Sequence, residues 1–145
     1  MRKQRVAVWL IFNGVYCASF AATPTNFQQA KKFALSIFES KPVTLYCECL
    51  FHSNKSVDLE ACQMHQAIPV KRANKIEWEH MMPASQFGQH LQCWYEDICF
   101  NKMKNKAFHG RKCCQKISSE FRTIEAELYN LWPSVGGINQ ARSNY

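Results

Sequence analysis

Between residues 26 and 40 the apolar residues Phe27, Ala30, Phe33, Ala34, Ile37 and Phe38 recur at three- and four-residue intervals. Lysines occupy the other side, so the pattern predicts an amphipathic helix packed by its apolar stripe. Thr25 or Asn26 can cap it, and Pro42 stops it. Val43, Leu45, Cys47 and Cys49 then alternate as in a half-buried strand. From His52 to Lys75 the chain is polar and aperiodic, which predicts loops tied down through Cys62. Lys75 to Met82 reads as a short strand ended by Pro83, and Ser85 to Cys93 holds room for a helical turn. Residues 96 to 116 read as irregular and basic. A second helix is expected from Ser119 to Glu127, with Phe121, Ile124 and Leu128 on one face. Leu128 to Trp132 turns into a strand before Pro133, and Gly136 and Gly137 open a last short segment. No internal repeat or low-complexity linker interrupts this order, so the expectation is one α+β domain.

The N-terminus changes that picture. Arg2, Lys3 and Arg5 precede the apolar run Val6 to Phe12, followed by Ala18-Ser19-Phe20-Ala21-Ala22. This is the layout of a secretory signal peptide, cleaved after Ala21, so residues 1–21 are assigned to the signal and 22–145 to the mature domain. The apolar run falls short of the ~20 residues that span a bilayer, which argues against an anchor. Tyr16 argues against a lipoprotein attached through Cys17, because a small residue is expected there. Export implies a periplasmic or secreted location and an oxidising compartment, so the cysteines read as disulfides. Of eight cysteines, Cys17 leaves with the signal and seven remain, an odd number that leaves one thiol without a partner in the chain. No C-x-x-C pair supports a zinc–thiolate site.

Net charge is +7, and loss of the three signal cations leaves +4. That mild bias favours polyanions over acidic proteins or neutral sugars. Lys102, Lys104, Lys106, Arg111, Lys112 and Lys116 fit either a loop lying along a nucleic-acid backbone or a solvated surface. Trp78, Trp94 and Trp132 are read as packing before base stacking. Met81 and Met82 are placed in or near the core, and His52, His65, His90 and His109 at the surface.

The densest chemistry is Glu77-Trp78-Glu79-His80. A carboxylate supplies a hard oxygen ligand, and an adjacent imidazole supplies a base that titrates near neutrality. Neighbours on a regular strand point to opposite faces, so a shared site requires the strand to end, bulge or twist near His80.

The run from Ile76 to Ala84, followed by Gln86-Phe87-Gly88, resembles the hallmark of the bacterial endonuclease I family, which reads Arg-Ile-Glu-Trp-Glu-His-Val-Val-Pro-Ala. Further matches follow in order: Tyr46-Cys47-Glu48-Cys49, Gln92-Cys93-Trp94, Gly110-Arg111-Lys112 with Cys113 and Cys114, Glu125, Asn130-Leu131, Pro133 to Gly136, Asn139, and Arg142-Ser143-Asn144. The resemblance implies a ββα-metal, or His-Me finger, core with additional helices and disulfide-tied loops. It implies a monomeric, non-specific endonuclease acting on double- and single-stranded DNA and on RNA. Glu79 and Asn139 are implied as ligands of Mg²⁺, or of Mn²⁺ or Ca²⁺. His80 is implied as general base, Arg111 as the phosphate-holding group and Glu125 as a supporting carboxylate.

The sequence departs from the family at Gly137, where Glu is usual, at Tyr129 for His, at Ala141 for Asp and at Glu127 for Asp. Family members also continue beyond Arg-Ser-Asn, so the domain is read as C-terminally incomplete. Two competing expectations follow: an inactive remnant that at most binds nucleic acid, and a disulfide-rich secreted interaction module.

Overall fold

The computed structural model describes residues 23–143, and the predicted signal peptide lies outside the described residues. Helix α1 spans Phe27–Ile37 and continues as a 3-10 turn through Ser40. The Asn26 side chain accepts from the Gln29 N–H at 3.0 Å, satisfying one of the first-turn amides that have no intrahelical partner. Its inward face is Phe27, Ala30, Ala34 and Phe38, whereas Phe33 and Ile37 of the predicted stripe are exposed. Strand β1, Ile76–His80, pairs antiparallel with β4, Leu131–Val135, in a two-stranded sheet. Helix α6, Gly136–Arg142, follows β4 directly.

Between these pieces lie two short helices, α2 (Ala84–Gly88) and α3 (Gln92–Tyr95). A hairpin of β2 (Cys99–Asn101) and β3 (Lys106–Phe108) comes next. Helices α4 (Arg111–Ile117) and α5 (Ser119–Glu125) complete the set, and the Ser118 side chain caps α5 through the Phe121 N–H. The mixture of helix and sheet agrees with the α+β expectation.

Two cores result. One joins α1 to the β1–β4 sheet and the 49–59 loops through Ala30, Ala34, Phe51, Leu59, Ile76, Trp78, Leu131 and Val135. The other gathers Phe87, Phe121 and four half-cystines around α2 to α5. Three disulfides close the loops: Cys49–Cys62, Cys93–Cys114 and Cys99–Cys113. Among the described residues Cys47 has no disulfide partner, which matches the odd count. No helix among them is long and apolar enough to cross a membrane.

Several expectations need correction. Residues 43–49 are not a strand. Thr44 and Cys49 are the buried positions, and Glu48 takes φ +50. The Thr44 N–H donates to the Cys49 carbonyl while the Thr44 hydroxyl accepts the Cys49 N–H, closing a tight turn with the apolar alternation wrapped around it. Residues 96–116 are not irregular, since they hold the hairpin and α4. Met81 and Met82 are exposed, and Trp132 is 39% exposed with its ring edge against Phe38.

The second helix stops at Glu125, short of Leu128. The following strand does not stop before Pro133 but runs through it. Ladder hydrogen bonds from the Met81 N–H to Asn130 and from the Gly136 N–H to Lys75 put Pro133 opposite Trp78 at a non-hydrogen-bonded pair. The nitrogen that lacks a proton therefore faces away from β1, and the Pro133 carbonyl accepts from Leu45 instead.

Candidate active site

Side chains alternate along β1, so Ile76, Trp78 and His80 share one face and Glu77 and Glu79 the other. Helix α6 covers the acidic face. Asn139 and Arg142, three residues apart, lie on one side of that helix. The Asn139 amide donates to Glu77 Oε2 at 3.0 Å, and the Arg142 guanidinium binds Glu79 Oε1. Arg142 also donates to the carbonyls of His80, at 3.2 Å, and Met81, at 2.8 Å. Gly136 admits this packing, because a Cβ there would meet the carbonyl oxygens of Arg72 and Lys75. Glu77 is held further by Arg72, whose Nε and Nη2 reach its two oxygens at 2.5 and 2.7 Å, a bidentate fork.

Glu79 is nearly buried, and burial pushes its carboxyl above the usual range despite the opposing pull of Arg142. Its Oε2 is buried with no hydrogen-bond partner among the described residues.

His80 sits on the other face, between the two cores. Its ring packs against Phe27 at 5.1 Å and Phe87 at 5.9 Å between centroids. Nε2 lies 2.9 Å from the backbone carbonyl of Glu125. A carbonyl only accepts, so the neutral ring carries its proton on Nε2 and presents the Nδ1 lone pair. Burial lowers the pKa of His80, the Glu125 carbonyl opposes that shift, and the nearby Arg111 charge adds to it. The imidazole is therefore held neutral below its ordinary titration range.

Glu125 is fully buried with both oxygens engaged. Arg111 Nε donates to Oε1 at 2.6 Å, and Gln115 Nε2 donates to both oxygens at 2.7 and 3.0 Å. One residue at the end of α5 thus fixes Arg111 through its carboxylate and His80 through its carbonyl. Arg111 also stands over the Phe27 ring at 5.0 Å, and its Nη2 is buried without a partner among the described residues. Lys31 Nζ lies over the same ring at 4.8 Å. Burial, then Lys55 and Arg111, lower the Lys31 pKa.

These groups rim a cleft of about 580 Å³ whose walls include Lys31, Lys55, Arg72, Glu77, Arg111 and Asn139. Four cations against one carboxylate make it an anion-receiving cleft. Glu79 and His80 are not among its walls. They flank β1 from opposite faces, and the strand neither bulges nor breaks before His80, its last residue.

The sequence-predicted residues therefore fall into two linked groups: Glu79 and Asn139 with α6, and His80, Arg111 and Glu125 with α4 and α5. Sequence reasoning missed Arg72, Gln115 and Lys31, and noticed Arg142 only within a motif. Arg142 was findable by its helical spacing from Asn139, and Gln115 by its four-residue spacing from Arg111.

The sequence model of the Endonuclease I family matches residues 16–145. The chain belongs to the endonuclease I family. It is 38% identical over 123 residues to an extracellular deoxyribonuclease of Aeromonas hydrophila, covering 83% of this chain and 48% of that protein. A periplasmic deoxyribonuclease of the same organism is 37% identical over 133 residues, 86% of this chain and 51% of the relative. Endonuclease-1 of Buchnera aphidicola subsp. Baizongia pistaciae is 40% identical over 123 residues, 83% and 45% respectively. The chain spans about half the length of the curated relatives it matches.

Proposed function

We propose that this endonuclease I chain hydrolyses phosphodiester bonds of double- and single-stranded DNA, and of RNA, without marked sequence preference. It works as a monomer in the periplasm or outside the cell, after removal of residues 1–21. The observation that carries this reading is the Glu125 carbonyl on His80 Nε2, which leaves Nδ1 as the free proton acceptor, while the same residue's carboxylate braces Arg111 in the wall of a cationic cleft.

His80 Nδ1 takes a proton from water, and the resulting hydroxide attacks phosphorus as the bond to the 3′ oxygen breaks. General-base help of this kind is worth ~10²–10⁴-fold. Arg111, braced by Glu125 and lining the cleft, offers its guanidinium to a phosphate oxygen and to the charge that develops there. Phosphate contacts alone give binding that ignores sequence.

The donor set fits a hard divalent cation such as Mg²⁺, Mn²⁺ or Ca²⁺. Glu79 Oε2 is a buried carboxylate oxygen with no partner, and Asn139 on the covering helix adds an amide oxygen. Glu79 and Asn139 would hold the ion. No group of three or more His, Cys, Asp or Glu gathers among the described residues, so water and phosphate would supply the remaining ligands. The bound ion would stabilise negative charge on the departing oxygen.

One observation favours a second reading, nucleic-acid binding without cleavage: the Arg142 guanidinium already occupies Glu79. Plasmid digestion separates the two. Purified mature protein is expected to nick and linearise supercoiled plasmid with Mg²⁺ and to stop when a chelator is added. Salt-sensitive binding with no cleavage under any divalent cation selects the inactive reading.

A further inference from the structure

The hairpin of β2 and β3 stands outside the site just described, and its surface is of an unusual kind. Its strands pair Cys99 with Phe108, Phe100 with Ala107 and Asn101 with Lys106. The four-residue turn between them is a built one. The Lys104 N–H donates to Asn101 Oδ1 at 3.1 Å and the Asn105 N–H to the Lys102 carbonyl at 3.4 Å. Asn105 takes φ +46, a conformation that asparagine tolerates better than most residues.

At the base, Cys99 is bonded to Cys113 in α4, two residues after Arg111. Gly110 donates to the Cys93 carbonyl, and Asp97 pairs with His109 at 2.7 Å. The hairpin is thus clamped to the helix that carries the phosphate-holding arginine.

At the tip, Lys102, Met103, Lys104 and Lys106 are all exposed, Met103 by 98%. Ile98, just before β2, and Phe100 within it are 44% and 50% exposed, so the hairpin carries further uncovered apolar side chains besides Met103. Residues 98–119 contain no acid against six Lys or Arg. Solvated lysines alone need no partner, but an uncovered methionine between two of them, on a pinned turn, has no packing reason to be there.

We propose that this hairpin is a DNA-gripping finger. Lys102, Lys104 and Lys106 contact phosphates flanking the cleavage cleft, and Met103 enters the groove between the strands. The inference rests on the nuclease reading and adds a contact to it. Charge complementarity selects the partner, since phosphate contacts come from Lys and Arg while apolar side chains such as Met serve as wedges between base steps. A three-residue strand rises ~10 Å, about three base pairs of duplex axis at 3.4 Å per charge on each strand. The finger therefore lengthens the footprint beyond the cleft without touching the reacting groups.

The test is duplex binding in EDTA, read by fluorescence anisotropy on a 20-base-pair probe across a salt series. Combined Lys102→Gln, Lys104→Gln and Lys106→Gln should reduce the slope of log affinity against log salt by about 2 to 3. Met103→Ser should weaken duplex binding about fivefold at unchanged slope, by losing a wedge rather than a charge. Hydrolysis of bis(p-nitrophenyl) phosphate, too small to reach the finger, should be unchanged in both, which also reports intact folding. An undiminished slope in the triple variant, or wild-type duplex affinity in Met103→Ser, overturns the finger. Loss confined to a single-stranded probe overturns groove entry. Wild-type protein that binds no duplex at low salt overturns the nuclease reading itself, and the finger with it.

Discussion

Glu125 governs two functional groups from one backbone position. Its carboxylate fixes Arg111 and its carbonyl sets the tautomer of His80. With His80 buried and its pKa lowered, its neutral form, the one the proposed mechanism uses, persists below the ordinary value of ~6.5. The acidic limb of kcat/KM against pH is therefore expected to have its midpoint below 6.5. Activity is lost only as pH falls through that depressed value, and a midpoint above 6.5 would contradict the burial of His80. The stability sign agrees. The unfolded chain binds the extra proton first, so the contribution of the neutral His80 falls as pH drops below ~6.5.

Glu77 has a different task. Its Oε2 holds the Asn139 Nδ2, which fixes the amide with its oxygen turned away from Glu77. On the proposal that Asn139 binds the ion, removing such a support costs 10- to 100-fold in affinity. Glu77→Ala is expected to weaken Mn²⁺ binding about tenfold by electron paramagnetic resonance titration, and to have no further effect in Asn139→Ala. Additive losses would show that Glu77 acts on the ion independently.

At this scale Glu79, His80, Arg111, Glu125 and Asn139 stood out in the sequence because they carry motifs, and their roles are those proposed above. Arg142 and Gln115 were not assigned roles: helical spacing sets them beside Asn139 and Arg111, but their carboxylate partners stand 63 and 10 residues away in the chain.

Elements were legible where one physical signal dominates. Helix α1, the short β1 before Pro83 and the start of α5 at Ser119 stand where the pattern put them, although Phe33 and Ile37 of the α1 stripe are exposed and α5 ends two residues early. Reading failed where two signals conflict. Residues 43–49 alternate like a strand, but the Thr44 side chain and the left-handed Glu48 close a turn first. The 96–116 stretch is so rich in lysine that its period was masked, and its order comes from cross-links that composition does not reveal. The hairpin depends on Cys99–Cys113, which closes a loop of sequence separation 14. Replacing both cysteines with alanine is expected to lower unfolding free energy by ~3 kcal/mol. Urea titration measures this, and an unchanged midpoint would mean that β2–β3 pairing alone secures the element.

For the molecule as a whole, β1, β4 and α6 form a small strand–strand–helix unit that contributes Ile76, Trp78, Leu131 and Val135 to the first core. Its acidic face is turned to the helix and its histidine to the disulfide-laced half. That arrangement gives α6 its tertiary support, since a seven-residue helix is marginal alone. Charge acts at the same scale. The cleft gathers Lys31, Lys55, Arg72 and Arg111, and the hairpin adds Lys102, Lys104 and Lys106, so positive charge is clustered where the proposed reading needs it to attract a polyanion.

The central claim is that His80 supplies the base. Its most direct measurement compares wild type and His80→Ala by single-turnover cleavage of a labelled duplex with Mg²⁺, alongside binding of the same duplex in EDTA. The expected result is a loss of ~10²–10⁴-fold in the cleavage rate with affinity retained. Cleavage at the wild-type rate by His80→Ala would contradict the account.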